Sequence, residues 1–121
     1  MTEEEFRTAR LFRVLGNPLR YKLLQELQRG PNTPTTLAKR VHRPLPAVSR
    51  ALGILHWVGL VHYKTEGPCV IYSLPFPDVS TLLQHGVVFT LRHGLLVAPS
   101  PSNGAAGAPP PPDLRAAADG A

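Results

Sequence analysis

PLPAVSRALGILHWVGLVHYKTEGPCVIYSL, running from Pro44 to Leu74, sets a helix-period segment directly before two alternating segments joined by Glu66-Gly67-Pro68. Val48, Leu52, Leu55 and Val58 recur at helical spacing, so they can face a core while Ser49, Arg50, Gly53 and His56 point elsewhere. The outward set is small and carries one cation. Small side chains let a helix backbone approach a base-pair floor, and a guanidinium supplies donors to phosphate or guanine. Residues 60–65 and 69–74 are rich in Val, Ile and Tyr and flank a Gly-Pro turn, as a hairpin requires. Helix then hairpin is the order of a winged helix-turn-helix. An amphipathic helix ahead of an ordinary hairpin gives the same pattern.

Charge narrows that choice. Between Arg7 and Lys64 stand eleven Lys or Arg residues (Arg7, Arg10, Arg13, Arg20, Lys22, Arg29, Lys39, Arg40, Arg43, Arg50, Lys64) against the single acid Glu26. This asymmetry favours a polyanionic partner, because phosphates neutralised by protein cations release condensed counterions. The sequence holds 121 residues, enough for one domain of about 100 residues with a modest core, plus a tail. Its one cysteine, Cys69, cannot close an internal disulfide, so a stapled secreted scaffold is not indicated and a cytoplasmic setting is the default. The start carries Glu3-Glu4-Glu5 in place of a basic export signal, and no stretch approaches the ~18 apolar residues of a membrane span.

Upstream, Thr2 and Glu5 form a capping box that opens a helix carrying Phe6, Leu11, Phe12 and Leu15 and stopping at Gly16. Asn17 caps a second helix with Pro18 in its first turn and Leu19, Leu23, Leu24 and Leu27 as its apolar stripe. Thr33-Pro34 repeats the signal for a short third helix, with Leu37, Ala38 and Val41 inward and Lys39 and Arg40 outward. Downstream, Asp78 is a fitting N-cap for a last helix through Leu82, Leu83, Val87, Phe89 and Leu91 towards Leu96. The expected fold is therefore mainly α with a β-hairpin, in the order α-α-α-α-β-β-α. Residues 1–97 form the domain, and residues 98–121 read as a disordered tail rich in Pro, Ala and Gly, too poor in large apolar groups to offset its ordering entropy.

Two motifs then stand at a telling separation. Leu15-Gly16-Asn17-Pro18-Leu19-Arg20-Tyr21-Lys22-Leu23-Leu24 opens the second helix on an Asn-Pro-x-Arg turn, and Val48-Ser49-Arg50-Ala51-Leu52 leads through Leu55 to Val58-Gly59-Leu60-Val61. With these motifs, the stretch from Leu15 to Leu74 resembles the ArsR/SmtB-type family of dimeric winged-helix repressors. The resemblance implies a homodimer built from the first and last helices, binding double-stranded DNA. The helix at residues 45–58 would then read the major groove, with Leu45, Pro46, Ala47, Ser49 and Arg50 facing it. Thr35, Thr36, Lys39, Arg40 and Arg43 would position the turn on phosphates, and Lys64 would sit near the wing tip. One departure is plain: Pro44 stands where the family has a Ser or Thr cap, and Pro46 follows. The helix survives two prolines in its first turn but lacks a side-chain cap worth ~1 kcal/mol, so recognition leans on thymine methyls and DNA shape.

The family's metal sensors use paired cysteines near the third helix, or carboxylate and histidine ligands in the last. Pro31 to Leu37 holds no cysteine, and His85 and His93 fall roughly 80° apart around a helix, although Asp78 and His85 share a face. No metal site and no cofactor are expected, and the effector is left unassigned. Histidine changes charge near neutral pH, so protonation of His56 and His62 beside the wing would strengthen DNA binding. A lone Cys69 reads as a small strand residue. A second function class is a winged-helix protein-interaction module anchored by Trp57, whose ring would otherwise tuck against the hairpin or a partner. Ser49, Ser73, His56, His85 and Asp78 lie in no nucleophile elbow, phosphate loop or ligand spacing, so no enzyme is expected.

Overall fold

The computed structural model describes residues 1–94. Their elements run α1 (Glu3–Leu15), α2 (Pro18–Leu27), α3 (Pro34–Val41), α4 (Leu45–Trp57), β1 (His62–Glu66), β2 (Cys69–Ser73) and α5 (Pro77–His93). The chain divides at Pro77 into two units, the second beginning at Asp78. Both the expected end of the last helix near Leu96 and the 98–121 tail lie outside the described residues.

Local chemistry explains where each helix starts. At α1, the Thr2 hydroxyl accepts from the Glu5 amide at 3.0 Å while the Glu5 carboxylate accepts from the Thr2 amide at 2.8 Å, a complete capping box. Asn17 caps α2 by accepting from the Arg20 amide at 3.0 Å, and Thr33 caps α3 by accepting from the Thr36 amide at 3.2 Å. Prolines at 18 and 34 follow these caps, where an amide would lack a partner anyway. The structure differs at α5, which already includes Pro77, so Asp78 sits in its first turn as a negative charge favourable to the helix dipole and not as the cap.

The core of the first unit is a leucine cluster. Leu23 and Leu24 of α2, Leu37 of α3 and Val48, Leu52 and Leu55 of α4 are fully buried where these three helices pack on one another. In α1 the buried residue is Val14, whereas Phe6 and Phe12 are exposed. Arg20 corrects the charge reading: it is only 6% exposed and is no part of a surface facing a polyanion. Its Nε donates to the Val14 carbonyl at 2.9 Å, placing a cation on the C-terminal carbonyls of α1, where the helix dipole favours it. Burial lowers its pKa from the ordinary guanidinium value, and its Nη2 has no partner among the described residues.

The hairpin pairs His62 with Ser73 and Glu66 with Cys69, leaving Gly67-Pro68 as a two-residue turn in which Gly67 takes φ 60°. An unanticipated third segment joins this sheet. Asn32 exchanges both backbone hydrogen bonds with Tyr72, at 3.0 and 2.8 Å, which ties β2 to the chain entering α3.

Truncating Leu52 tests the packing most sharply. Leu52→Ala is expected to lower unfolding free energy by about 2–5 kcal/mol in urea titration. Gly53→Ala, one residue on but exposed with nothing within 4 Å of the added methyl, is expected to raise it by about 0.5–1 kcal/mol. Equal effects at the two positions would contradict the placement of α4.

Candidate nucleic-acid interface

The turn between α3 and α4 is set by His42, which closes α3 in the left-handed conformation at φ 58°. Among residues with a Cβ, histidine is one of the few enriched there. The Arg43 amide then donates to the Ala38 carbonyl at 3.1 Å, and Pro44, at φ −62° and ψ 143°, turns the chain into α4. Pro44 makes no side-chain cap, as expected, and its carbonyl accepts from the Ala47 and Val48 amides at 3.0 and 3.1 Å. With no amide on Pro46, the start of α4 offers few donors to a phosphate.

Burial of one stripe fixes the opposite one. Val48, Ala51, Leu52 and Leu55 are buried, and Leu45, Pro46, Ser49, Arg50 and Gly53 are exposed on the other side of α4. Ala47, expected in the groove-facing set, is half-buried and turns partly towards the core. At the far end, Gly59 takes φ 83° and its amide donates to the His56 carbonyl at 3.0 Å, while the Leu60 amide donates to the Leu55 carbonyl at 3.0 Å. These two bonds are a Schellman closure, with Leu55 and Leu60 as its buried apolar pair.

Exposed cations stand on α3, on the turn after it and on α4 itself. Lys39, Arg43 and Arg50 are exposed and form no ion pair among the described residues. Arg40 reaches the Glu26 carboxylate at 3.7 Å, and Arg29 approaches the same carboxylate at 3.9 Å. An open contact of this length is weak and leaves Arg40 able to turn to a phosphate. Thr35 is exposed, whereas Thr36 is half-buried with its hydroxyl 3.2 Å from that of Thr33. Thus Thr36 serves the cap of α3, and Thr35 is the threonine open to an external partner.

Lys64 stands apart from this cluster, on β1, and contacts the Glu66 carboxylate at 3.1 Å. The sequence reading overlooked Glu66 as a wing charge, although its spacing of two from Lys64 on a strand put both on one face. Aromatic rings brace the wing: His56 lies 5.0 Å from Tyr63, and Tyr63 lies 5.4 Å from Tyr72. Burial and the neighbouring Tyr63 push the Tyr72 hydroxyl pKa upward. His56, rather than Trp57, is therefore the end of α4 that meets the hairpin. Trp57 is 80% exposed and lines a cleft against α1, so its ring does not tuck against the hairpin. Cys69 is exposed on β2 and His62 on β1. In α5, His93 lies 4.8 Å from Phe89, and no three potential metal ligands gather among the described residues.

Known proteins share this architecture. No protein-family model matches the chain. It is 37% identical over 76 residues to a "probable mercury resistance operon repressor" of Streptomyces lividans, covering 63% of this chain and 61% of that one. It is 32% identical, again over 76 residues, to the HTH-type transcriptional regulator Rv0081 of Mycobacterium tuberculosis, covering 62% of this chain and 67% of the relative. The chain thus spans about three fifths to two thirds of these relatives' lengths. The crystal structure of Rv0081 superposes with a TM-score of 0.71 at 26% identity, over 76% of this chain and 93% of that one. The homodimeric winged helix-turn-helix DNA-binding domain of Mb0332 from Mycobacterium bovis, described as a possible ArsR-family regulator, gives 0.69 at 25% identity over 77% and 90%. Sequence relatives and solved folds agree with one another, and the chain belongs to the ArsR/SmtB family of winged helix-turn-helix transcriptional regulators.

Proposed function

We propose that the protein is a homodimeric, sequence-specific DNA-binding repressor of the cytoplasm, with residues 1–97 as its DNA-binding and dimerisation domain. One observation carries the reading: α4 presents a small, exposed stripe with Arg50 at its centre, held outward by a fully buried opposite stripe. Arg50 clamps a phosphate or reads guanine, with Leu45, Pro46, Ala47 and Ser49 against the groove floor. Thr35, Lys39, Arg40 and Arg43 set the backbone register, with Thr36 holding the α3 cap beneath them, and Lys64 extends the contact through the wing. Because α4 begins without a cap or a free row of amides, thymine methyls and DNA shape supply much of the preference.

Dimerisation through the first and last helices is supported by apolar side chains left exposed on each. These are Phe6 and Phe12 on α1, and Val87, Val88, Phe89 and Leu91 on α5. A structural neighbour described as homodimeric supports a dimer as such. The mercury in one relative's name does not transfer: thiolates hold soft metals, and the one cysteine in the sequence, Cys69, is exposed on the wing. The exposed Trp57 favours a second reading, a protein-interaction module in which the cations are incidental.

Salt separates the two. Binding to random duplex DNA should fall steeply with salt, with a log-log slope of about −0.9 for each phosphate neutralised; undetectable binding at low salt would favour the interaction module. Arg50→Ala should cost operator binding about 1–3 kcal/mol, with circular dichroism and dimer mass unchanged. Equal operator affinity for wild type and variant would remove α4 from the interface.

A further inference from the structure

Trp57 closes the 13-residue α4, about 18 Å along the axis from its first residue. It therefore lies at the end of the helix away from the proposed DNA contact. Between it and α1 is a cleft of about 240 Å³ lined by Arg7, Arg10, Leu11, Trp57 and Val58. Arg7, Leu11 and Val14 recur at helical spacing, so the α1 stripe that is buried at Val14 delivers Arg7 and Leu11 to this cleft. Of the two exposed α1 phenylalanines offered for dimerisation, Phe12 points about 160° away from Arg10 around the helix, whereas Phe6 lies about 40° from it and borders the cleft.

The wall combines two guanidinium groups, an indole and two aliphatic side chains. Arg7 is held by Glu3 at 2.9 Å, an exposed pair that leaves further donors, and Arg10 forms no ion pair among the described residues. Two like charges sharing one cleft repel until an anion enters, and a guanidinium matches the two oxygens of a carboxylate. An indole this exposed is covered favourably by another flat apolar ring. The volume is below the roughly 300–1,000 Å³ of drug-sized pockets, which limits the ligand to one or two rings. A second copy as the occupant would show itself as emission that follows protein concentration.

We propose that this cleft binds a small aromatic carboxylate, with its ring on Trp57, Leu11 and Val58 and its carboxylate on Arg10 and Arg7. The site stands on its own geometry and does not depend on the DNA-binding reading. Trp57 is the sequence's one tryptophan, so indole emission reports this cleft alone. Titration with benzoate is expected to change that emission saturably, with benzamide and acetate each binding at least about tenfold more weakly because one lacks the charge and the other the ring. Arg10→Gln should weaken benzoate by about tenfold or more, while Arg13→Gln, exposed on the same helix but outside the cleft, should not. The proposal is overturned by any of four results: no saturable change, benzamide or acetate matching benzoate, equal weakening by Arg13→Gln, or emission that follows protein concentration in place of benzoate.

Discussion

Everything presented by α4 depends on four side chains it hides. Val48, Ala51, Leu52 and Leu55 lie on one stripe buried where α4 packs with α2 and α3. Each leucine of that stripe contributes about 1.5–3 kcal/mol by leaving water. Rotating the helix by one residue's worth of arc would expose part of that stripe and bury Arg50, a charge with no partner inside. The direction of Ser49, Arg50 and Gly53 is thus a consequence of packing, before any nucleic acid is present. The two ends of α4 are fixed by different means. Pro44 and the left-handed His42 set its entry, and the Schellman closure at Gly59 sends the chain into the wing, which Asn32 then pins through Tyr72.

Much of this was legible from the residues because the signals were local. Caps at Thr2, Asn17 and Thr33, the leucine periods of α2 and α4, and the Gly67-Pro68 turn each operate within a few residues. What escaped notice depended on distant partners. Arg20 looked like one more surface cation, since nothing in its neighbourhood announces that its guanidinium reaches back to Val14. Trp57 and His56 are adjacent on α4, and which of them meets the hairpin is decided by the path of the chain after Gly59. The bridge from Asn32 to Tyr72 joins segments forty residues apart, beyond any pattern of period or composition. Within the candidate interface, the sequence picked out the exposed cations but could not separate Thr35 from Thr36, because only the folded cap shows which hydroxyl is engaged.

The same packing gives the helix two ends with different tasks. Its N-terminal half carries the residues proposed for the groove, with a cation in reach and few backbone donors. Its C-terminal residue borders a cationic, aromatic cleft shared with α1, a helix proposed to dimerise. A ligand wedged there would touch α1 and α4 together.

The central claim is that two copies of α4 read one duplex through the exposed stripe around Arg50. Selection of bound duplexes from a random pool tests it most directly. The account predicts enrichment of an inverted repeat whose half-site centres are about 34–36 Å apart, one helical turn, or a multiple of it. A pool that yields no enriched sequence, or one without two-fold symmetry, would contradict it.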